Sequence, residues 1–330
     1  MPLMKAFRIH SDDTGYRAGV ETMDTEALSP GEVLVKAEWS SVNYKDALAG
    51  TGKGKILRRF PLNGGIDVAG TVVASTDTRF REGDKVLATG SGLSETRDGG
   101  YGEYVRLPAD LTIPLPATLT TREAMILGTA GFTAALALLR MTDNRQTPDL
   151  GPIAITGATG GVGMLGIDIF ARAGYQVHAI SGKADRFDFL RGLGAVDCLD
   201  RHALSFSGKP MESAKYGGLL DNVGGKTLAG FLPMIASYGN AAICGLAGSP
   251  DLTTTVMPFI IRGVSVLGVA SAGTGRAIRD EVWQRLSSDW KPRHLDTICT
   301  KELALEDVAS VFDTMLEGGS FGRTVVRIGG

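Results

Sequence analysis

A glycine-rich turn at residues 157–163 joins a short β-branched run to a helical pattern in the middle of the chain. The run Ile153 to Thr156 is typical of a buried strand, and the apolar spacing after the turn predicts a helix. When the turn is aligned on its last glycine, Ala158, Gly160 and Gly163 stand where the G-x-G-x-x-G fingerprint has its three glycines. This order of strand, turn and helix predicts a βαβ unit that binds a dinucleotide.

The glycines of this turn have separate predicted roles. Gly160 would let backbone N–H groups approach a pyrophosphate, and Gly163 would let the helix pack closely against its strand. The coenzyme contacts predicted within the turn are Thr159, Gly160, Gly161 and Val162.

The end of the next strand indicates which nicotinamide coenzyme is bound. The apolar run Gln176 to Ile180 is the predicted second strand, and an NAD enzyme carries Asp or Glu near its end to bind the ribose 2′-hydroxyl. Here the run ends in Ser181, Gly182 and Lys183. A hydroxyl, an open backbone and a cation suit a 2′-phosphate, whereas a carboxylate would repel it. The sequence therefore predicts NADPH as the coenzyme, with Arg201 adding positive charge after a third strand.

Composition is that of a globular enzyme with two domains. The 330 residues are 43% hydrophobic and 21% charged, and the formal net charge of −2 offers no general attraction for nucleic acid or an anionic membrane. The three cysteines are far apart in the sequence, which favours buried free thiols in a reducing compartment. Apolar runs such as Ala134 to Leu139 are shorter than the roughly 20 residues that span a bilayer. Residues 1–15 have no apolar signal core, so a cytoplasmic location is expected.

The pattern of predicted elements changes along the chain. Short alternating strands separated by Gly, Pro and Asp predict a small β-barrel-like domain in residues 1–120. Residues 121–270 alternate strands and helices, which implies a parallel sheet wound on both faces. Residues 271–330 end in a further predicted strand. The predicted elements include the helices Arg122 to Arg140 and Thr227 to Ala236 and the final strand Thr324 to Ile328.

Several segments carry a resemblance to a known family. They are Ser40 to Asp46 with its Asn-Tyr-Lys-Asp sequence, Gly65 to Gly70, Gly128 to Ala134, Thr156 to Gly163, Met257 to Arg262 and Gly322 to Thr324. Over essentially the whole chain they resemble the zinc-free quinone oxidoreductase branch of the medium-chain dehydrogenase/reductases, and within it the acrylyl-CoA reductases. The resemblance implies an α/β fold with a GroES-like β-barrel catalytic domain, completed by residues 271–330, and a doubly wound parallel Rossmann domain that binds NADPH.

Zinc-dependent relatives of this family carry ligands that the sequence lacks. They place a Cys at the position of Asn43 and a His-Glu pair at Ile66 and Asp67. A catalytic zinc needs about three converging N, S or O ligands, and the four histidines have neither paired spacing nor Cys neighbours. No metal is therefore expected, and hydride addition to an activated alkene is the chemistry that remains.

The residues around Tyr44 are the predicted catalytic group. In an α,β-unsaturated thioester the carbonyl polarises the double bond, so a hydride can add to the β-carbon while negative charge gathers on the thioester oxygen. The protein must stabilise that charge, and the α-carbon must then receive a proton. Tyr44 is the candidate proton donor, or else donates a hydrogen bond that positions the nicotinamide ribose. Asn43 and Asp46 are candidates that orient the site, although an Asp in such a turn more often holds backbone amides.

The remaining coenzyme contacts are predicted from position or from the resemblance. Ligands of such folds lie outside the C-terminal ends of the parallel strands, which places Leu246 and Ser271 near the nicotinamide. Ile260 and Arg323 follow from the resemblance alone, and Arg323 could equally be a structural ion-pair partner. Ala270 departs from the family, which commonly has Asp at this position.

A basic run close after Tyr44 is the predicted substrate contact. Residues 53–59 hold four cations in seven positions, and a CoA ester carries a 3′-phosphate and a pyrophosphate that such cations attract. Arg58 and Arg59 are the predicted contacts. The alternative is that the run is simply a solvated face.

Three functional hypotheses remain open on the sequence alone. The leading hypothesis is NADPH-dependent reduction of a short enoyl-CoA thioester, acryloyl-CoA first. A reductase of quinones or free enones would share the fold and the coenzyme, and a non-catalytic NADPH-sensing protein would share both without turnover. The apolar segment Met257 to Val269 has a strand pattern, which predicts sheet pairing into a homodimer.

Overall fold

The computed structural model describes residues 3–329, and the chain divides into two compact units. The first unit comprises residues 3–129, 272–283 and 295–329, and the second comprises residues 130–271 and 284–294. Relative to the predicted domains, residues 121–129 thus lie with the first unit and residues 284–294 with the second.

Strands and helices alternate unevenly along the chain. The strands are β1 (Leu3–Asp12), β2 (Gly15–Asp24), β3 (Val33–Ser41), β4 (Leu62–Asn63), β5 (Asp67–Ser75), β6 (Lys85–Thr89), β7 (Tyr104–Leu107), β8 (Ile113–Pro114), β9 (Ile153–Thr156), β10 (Val177–Ser181), β11 (Ala195–Asp200), β12 (Tyr216–Asp221), β13 (Ile235–Ile243), β14 (Ser265–Gly268), β15 (Cys299–Ala304) and β16 (Arg323–Arg327). The helices are α1 (Tyr44–Thr51), α2 (Thr121–Asp143), α3 (Gly161–Arg172), α4 (Phe187–Gly192), α5 (Gly225–Phe231), α6 (Met257–Arg262), α7 (Arg276–Leu286), α8 (Leu295–Ile298) and α9 (Phe312–Leu316).

The first unit is built from two mainly antiparallel sheets. One has the order β2-β1-β4, and the other runs β15-β16-β3-β5-β6-β8 with β7 also paired to β3. The rings of Phe7, Tyr101 and Phe312 meet edge to face in its core, with centroids 5.8–6.2 Å apart. Strand β16 pairs with the end of β3, where Val325 lies opposite Ser41. A segment nearly 300 residues away therefore completes the sheet that holds α1.

The antiparallel register of β3 and β5 brings two polar side chains together. Trp39 near the end of β3 lies opposite Ala69 near the start of β5. Because antiparallel strands run in opposite directions, Ser41 at the end of one and Asp67 at the start of the other share one edge of the sheet. The candidate active site is built on this edge.

Helix α2 contains a break at Gly128. Its backbone there has φ +48° and ψ −153°, so the predicted helix over residues 122–140 is present but interrupted. A Cβ atom at this position would lie 2.6 Å from Asp67 Oδ2 and 2.8 Å from Ser41 Oγ. Only glycine allows the helix to approach the edge of the sheet so closely.

Helix α2 is also long and apolar enough to cross a membrane by length and composition, with a mean hydropathy of 1.6 over its most apolar stretch. The unbroken apolar runs within it, such as Ala134 to Leu139, are short, as predicted, and small or polar residues separate them. Of that stretch, 89% is buried inside the fold. The core helix of a globular protein passes the same test.

The second unit contains a six-stranded parallel sheet. Its order is β11-β10-β9-β12-β13-β14, and each neighbouring pair in it is parallel. This is the doubly wound Rossmann order, in which the strand sequence reverses at the first strand. The predicted α/β fold class with a doubly wound parallel sheet is confirmed.

The glycine-rich turn follows β9 and opens α3. A Cβ atom on Gly163 would meet the carbonyl oxygen of Gly157 and would lie 2.7 Å from Ala158 Cα, so the close packing predicted for Gly163 is present. The left-handed position that tightens the turn is Gly157, with φ +61°. Gly157 therefore takes the role that the fingerprint alignment assigned to the position of Ala158.

Two predicted elements in the second unit were wrong in part. The strand pattern of Met257 to Val269 is confirmed only at its end, where strand β14 forms. Its first part is helix α6, because Pro258 suits a first helical turn and Gly263 ends the helix with φ +62°. The helix predicted over Thr227 to Ala236 ends at Phe231. Pro233 cannot continue an α-helix, and Ile235 already begins β13.

The three cysteines are free thiols, as predicted. Their predicted full burial holds for Cys198, whereas Cys244 and Cys299 are only partly buried.

Candidate active site

Asn43 is the N-cap of helix α1, and its backbone is tied to the first turn. Its N–H donates to Asp46 Oδ2 at 2.8 Å, and its carbonyl oxygen accepts from the Asp46 N–H at 2.9 Å. The other carboxylate oxygen of Asp46 accepts from the Ile66 N–H at 2.9 Å. Asp46 therefore holds backbone amides of the turn and of the segment before β5, and it is buried.

The side-chain amide of Asn43 is held at both ends. Its Nδ2 donates to Asp67 Oδ2 at 2.8 Å and lies 3.2 Å from Asp46 Oδ2. Its Oδ1 accepts from Arg323 Nη1 at 3.1 Å. Because an amide offers donors on one side and an acceptor on the other, a carboxylate and a guanidinium fix its orientation completely.

Asp67 is the acceptor at the centre of this group. It is fully buried, and Oδ2 also accepts from Ser41 Oγ at 2.6 Å and from the Thr129 N–H at 2.9 Å. Oδ1 accepts from Thr129 Oγ1 at 2.6 Å. Thr129 directly follows the break in α2, so the break presents a backbone amide and a hydroxyl to the same carboxylate.

Arg323 is 3% exposed and reaches the group from β16. Its Nε donates to the Ile126 carbonyl at 2.8 Å, and Nη1 donates to the Val42 carbonyl at 3.1 Å. Burial lowers the pKa of Arg323, whereas the charges of Asp67 and Asp46 oppose that shift. These contacts give Arg323 a structural role between β3, α1 and α2. Its contact with a coenzyme stays a prediction.

Two titratable groups beside this network have perturbed acidity. Burial, followed by the nearby charge of Asp67, raises the pKa of Asp46 from 3.8 to about 7, although hydrogen bonds from Asn43 and Ile66 oppose the change. Burial also raises the pKa of Tyr101 well above its ordinary value. The Tyr101 hydroxyl donates to the Ser41 carbonyl at 3.0 Å, so it serves the packing of the edge.

Tyr44 is the first residue of α1 and directly follows Asn43. The buried contacts of Asn43 with Asp67 and Arg323 form the anchor of this helix. The Tyr44 side chain is 47% exposed, in contrast to Asn43 and Asp46 on either side of it. The anchor therefore fixes the backbone that carries an exposed phenol. The contact of this phenol with the substrate or with the nicotinamide ribose stays a prediction.

At the end of β10 the structure brings together four of the residues predicted for the coenzyme. The buried Ser181 hydroxyl lies 3.2 Å from Thr159 Oγ1 and accepts from the Lys183 N–H at 3.1 Å. The Arg201 N–H donates to the Ser181 carbonyl at 3.0 Å. Burial lowers the pKa of Lys183, and the positive charges of Arg186 and Arg201 act in the same direction. Cations thus surround the strand end.

Two glycines shape the surface of this corner. A Cβ atom on Gly182 would lie 2.5 Å from Arg201 Nε, so the glycine leaves room for the guanidinium. A Cβ atom on Gly160 would meet only the Gly157 carbonyl oxygen, at 3.4 Å, so that part of the turn is open. Gly161 and Val162 follow in the first turn of α3.

A polar cluster that the sequence patterns did not predict lies at the neighbouring strand ends. The buried Asp221 accepts from Thr156 Oγ1 at 2.7 Å and from the Gly224 N–H at 2.7 Å. Asn222 donates its side-chain amide to the Thr156 carbonyl at 2.7 Å. The sequence signal that could have predicted this cluster is the hydroxyl of Thr156 and the carboxylate of Asp221, which end two adjacent parallel strands.

The other predicted residues lie elsewhere on the two units. Leu246 and Ile260 are exposed, and Ser271 begins a 3₁₀ turn of three residues. Arg58 and Arg59 are exposed as well. Arg58 Nε lies 3.8 Å from Glu95 Oε1, and Arg59 Nη2 donates to Ser29 Oγ at 2.7 Å. Their contacts with substrate and coenzyme stay predictions.

Within residues 3–329, no three His, Cys, Asp or Glu side chains are placed to hold a metal ion together. Two of the three positions named for the absent zinc residues are filled by Asn43 and Asp67, which are hydrogen-bonded to each other.

Comparison with family models finds two matches. Residues 29–117 match the alcohol dehydrogenase GroES-like domain, and residues 161–288 match the zinc-binding dehydrogenase model. The match in the first unit confirms the predicted GroES-like domain.

Individual relatives match over nearly the whole chain. The acrylyl-CoA reductase AcuI of Ruegeria pomeroyi is 40% identical over 94% of each chain. The yhdH oxidoreductase of Salmonella enterica, solved in complex with NADP, is 43% identical with a TM-score of 0.94, over 98% of this chain and 100% of the other. The Bacillus subtilis protein yhfP, solved with NAD bound, is 41% identical with a TM-score of 0.95, over 99% and 100%.

The raised pKa of Asp46 predicts a pH-dependent stability. Its folded pKa of about 7 lies above the ordinary 3.8. The contribution of the Asp46 carboxyl to the free energy of unfolding is therefore fully present below about pH 4 and is lost as the pH rises to about 7. Relative to Asp46→Asn, the free energy of unfolding of the native protein should fall by up to about 4 kcal/mol over that interval. Urea denaturation at a series of pH values measures the difference.

The control for this experiment is Asp251→Asn, which removes an exposed carboxylate. A difference between native protein and Asp46→Asn that stays constant across the interval would contradict the assignment.

Proposed function

The chain belongs to the medium-chain dehydrogenase/reductase superfamily, in the group that contains the acrylyl-CoA reductases, and on that premise we propose that it reduces the C=C bond of acryloyl-CoA to give propionyl-CoA with NADPH. Other short enoyl-CoA thioesters are substrates of the same kind.

The observation that carries this proposal is the exposed Tyr44 beside the buried anchor of Asn43. The amide of Asn43 is held by Asp67 and Arg323, and this contact fixes the start of α1. Such an anchor restricts the position of the neighbouring phenol, which remains accessible to a ligand. A positioned hydrogen-bond donor is what the reduction of a thioester enoyl group requires from the protein.

The residues of the second unit fit NADPH. The cations around the end of β10 suit a 2′-phosphate, and residues 181–183 include no carboxylate to repel it. Thr159, Gly160, Gly161 and Val162 would present the N-terminus of α3 to the pyrophosphate. Leu246, Ile260 and Ser271 remain the proposed contacts nearer the nicotinamide.

The chemistry divides between the coenzyme and the chain. Bound NADPH supplies a hydride, with both electrons, to the β-carbon of the thioester. The Tyr44 hydroxyl then stabilises the negative charge that collects on the thioester oxygen, or donates the proton that the α-carbon takes up. Asn43 and Asp46 act as positioning residues, since both are buried and bonded to the backbone of the turn. Arg58 and Arg59 would bind phosphates of the CoA group.

Lys183→Ala should separate the two coenzymes. Loss of a cation facing the 2′-phosphate should weaken NADPH binding by about 10-fold to 100-fold and leave NADH binding nearly unchanged. Calorimetry with each coenzyme measures the two dissociation constants, and Lys209→Ala removes an exposed lysine elsewhere in the second unit as the control. Equal weakening of both coenzymes, or native affinity for NADPH, would remove Lys183 from the proposed site.

Tyr44→Phe tests the reaction itself. NADPH oxidation is followed with acryloyl-CoA, crotonyl-CoA and benzoquinone in parallel, and acryloyl-CoA should give the highest kcat/KM. Removing the hydroxyl should lower kcat for acryloyl-CoA by about 100-fold or more. Tyr238→Phe, which alters an exposed tyrosine of the second unit, is the control.

The other outcomes favour the rival functions. A higher kcat/KM for benzoquinone would make the chain a quinone reductase. NADPH binding without turnover of any activated alkene would favour a sensing protein. A raised KM for NADPH with unchanged kcat in Tyr44→Phe would show that Tyr44 positions the ribose only.

We also propose that the chain forms a homodimer in the cytoplasm, through strand β14. This strand lies at one end of the parallel sheet, and the exposed Ile261 of α6 and Val266 of β14 add apolar surface there. An edge strand with apolar neighbours favours pairing with a second copy.

Val266→Lys tests the dimer. Val266 is 38% exposed, so a charge there should disfavour pairing and halve the mass measured by light scattering. The control is Val196→Lys, since Val196 is 58% exposed on β11 at the opposite end of the sheet. A native protein with the mass of one chain, or a variant that stays dimeric, would contradict the proposed interface.

A further inference from the structure

The first unit contains a cavity whose lining includes none of the proposed coenzyme contacts. Its volume is about 410 Å³, and it is lined by Ser91, Gly92, Glu95, Leu111 and residues 272–274. Pockets for small organic ligands range over about 300–1,000 Å³ and combine apolar walls with a few polar groups. Leu111 and Ala272 supply apolar surface, and hydroxyl and carboxylate groups supply the polar part.

One wall of the cavity is a strained loop. Ser91 and Ser94 have φ of +53° and +55°, a backbone region that residues with a Cβ atom rarely adopt. The carbonyl oxygen of Gly92 accepts from three backbone N–H groups, of residues 95, 96 and 97, which hold the loop closed. Ser94 is fully buried, and its hydroxyl has no hydrogen-bond partner within the described chain. Strain of this kind collects at ligand-binding loops.

A second wall of the cavity, formed by residues 272–274, is held by a buried guanidinium. Arg279 is buried, and its Nη1 donates to the Thr89 carbonyl at 2.8 Å. Its Nη2 reaches the carbonyl oxygens of Ala272 and Thr274, at 3.4 Å each. The Ser91 N–H donates to the Ala272 carbonyl at 3.1 Å, which joins the two walls. The cavity is thus preformed.

Two cations lie at the Glu95 side of the cavity. Glu95 is its one lining carboxylate, and Lys45 Nζ lies 2.5 Å from Glu95 Oε2. Arg58 Nε lies 3.8 Å from Glu95 Oε1, and the Arg58 N–H donates to the Glu95 carbonyl at 2.8 Å. Two cations on one carboxylate leave this side with a net positive charge. Lys45 directly follows Tyr44, so a carboxylate that lines the cavity is paired to the chain neighbour of the proposed catalytic phenol.

We propose that this cavity binds the pantetheine arm of the thioester substrate, an inference that rests on the function proposed above. The arm carries two amides and a dimethyl group, which suit a pocket with hydroxyls and apolar patches. The thioester end of the arm would leave the cavity beside Lys45, towards Tyr44, which directly precedes Lys45 in the chain. A quinone has no such arm and would make no use of this cavity.

Gly273→Leu tests the proposal by filling the cavity. A Cβ atom on Gly273 meets no atom within 4 Å, so the added side chain occupies open space instead of displacing the fold. The same holds for Gly275, which does not line the cavity, so Gly275→Leu is the matched control. Calorimetry with CoA and with pantetheine measures binding directly, in saturating NADP so that neither ligand occupies the coenzyme site.

Gly273→Leu should raise the dissociation constants of CoA and pantetheine by about tenfold or more, and Gly275→Leu should leave both as in the native protein. Gly273→Ala, a smaller filling, should give an intermediate value. The KM for acryloyl-CoA should rise in the same order, while reduction of a small enone without the arm stays unchanged.

Native affinity for CoA in Gly273→Leu, or no CoA binding by the native protein, would overturn the proposal. CoA binding without reduction of acryloyl-CoA would instead reject the proposed function and leave this cavity as a CoA site.

Discussion

The burial of Asp67 is the constraint on which the first unit depends. A carboxylate removed from water is costly unless hydrogen bonds replace its hydration, and Asp67 receives them from Ser41, Asn43 and Thr129. These donors come from β3, from the cap of α1 and from the break in α2. The guanidinium of Arg323 adds the opposite charge within the same buried group. Four segments of chain must therefore meet in one arrangement, and the orientation of α1 follows from that arrangement.

Local patterns in the sequence were sufficient to predict the parallel sheet of the second unit. The alternation of strands and helices predicted the parallel sheet, and the turn residues 181–183 lie together because they are consecutive in the chain. Where local signals compete, the prediction was wrong. Residues 257–262 are apolar enough for a strand, but Pro258 and Gly263 provide the start and end of a helix. Gly157 and Ala158 are adjacent, and only the observed φ shows which of them makes the turn.

The candidate active site could be predicted only in part, for a related reason. Asn43, Tyr44 and Asp46 lie within one helical turn, so their proximity is already contained in the sequence. Asp67 and Arg323 reach Asn43 from 24 and 280 residues away. No periodicity links such positions. The cavity is a second example, since its walls come from residues 91–95, 111 and 272–274, and its shape depends on backbone angles that residue types do not determine.

The position of Arg323 in the chain has a consequence for synthesis on the ribosome. Asn43, Asp67 and Thr129 are made first, and 194 further residues lead from Thr129 to Arg323. At about 5–20 residues per second, translation needs about 10–40 seconds to produce that stretch. Throughout that interval the nascent polypeptide lacks the arginine that closes this group, and strand β3 exposes the edge that β16 will cover. An unpaired strand edge is a template for pairing with other chains, so the risk of aggregation is greatest in the interval before β16 is made.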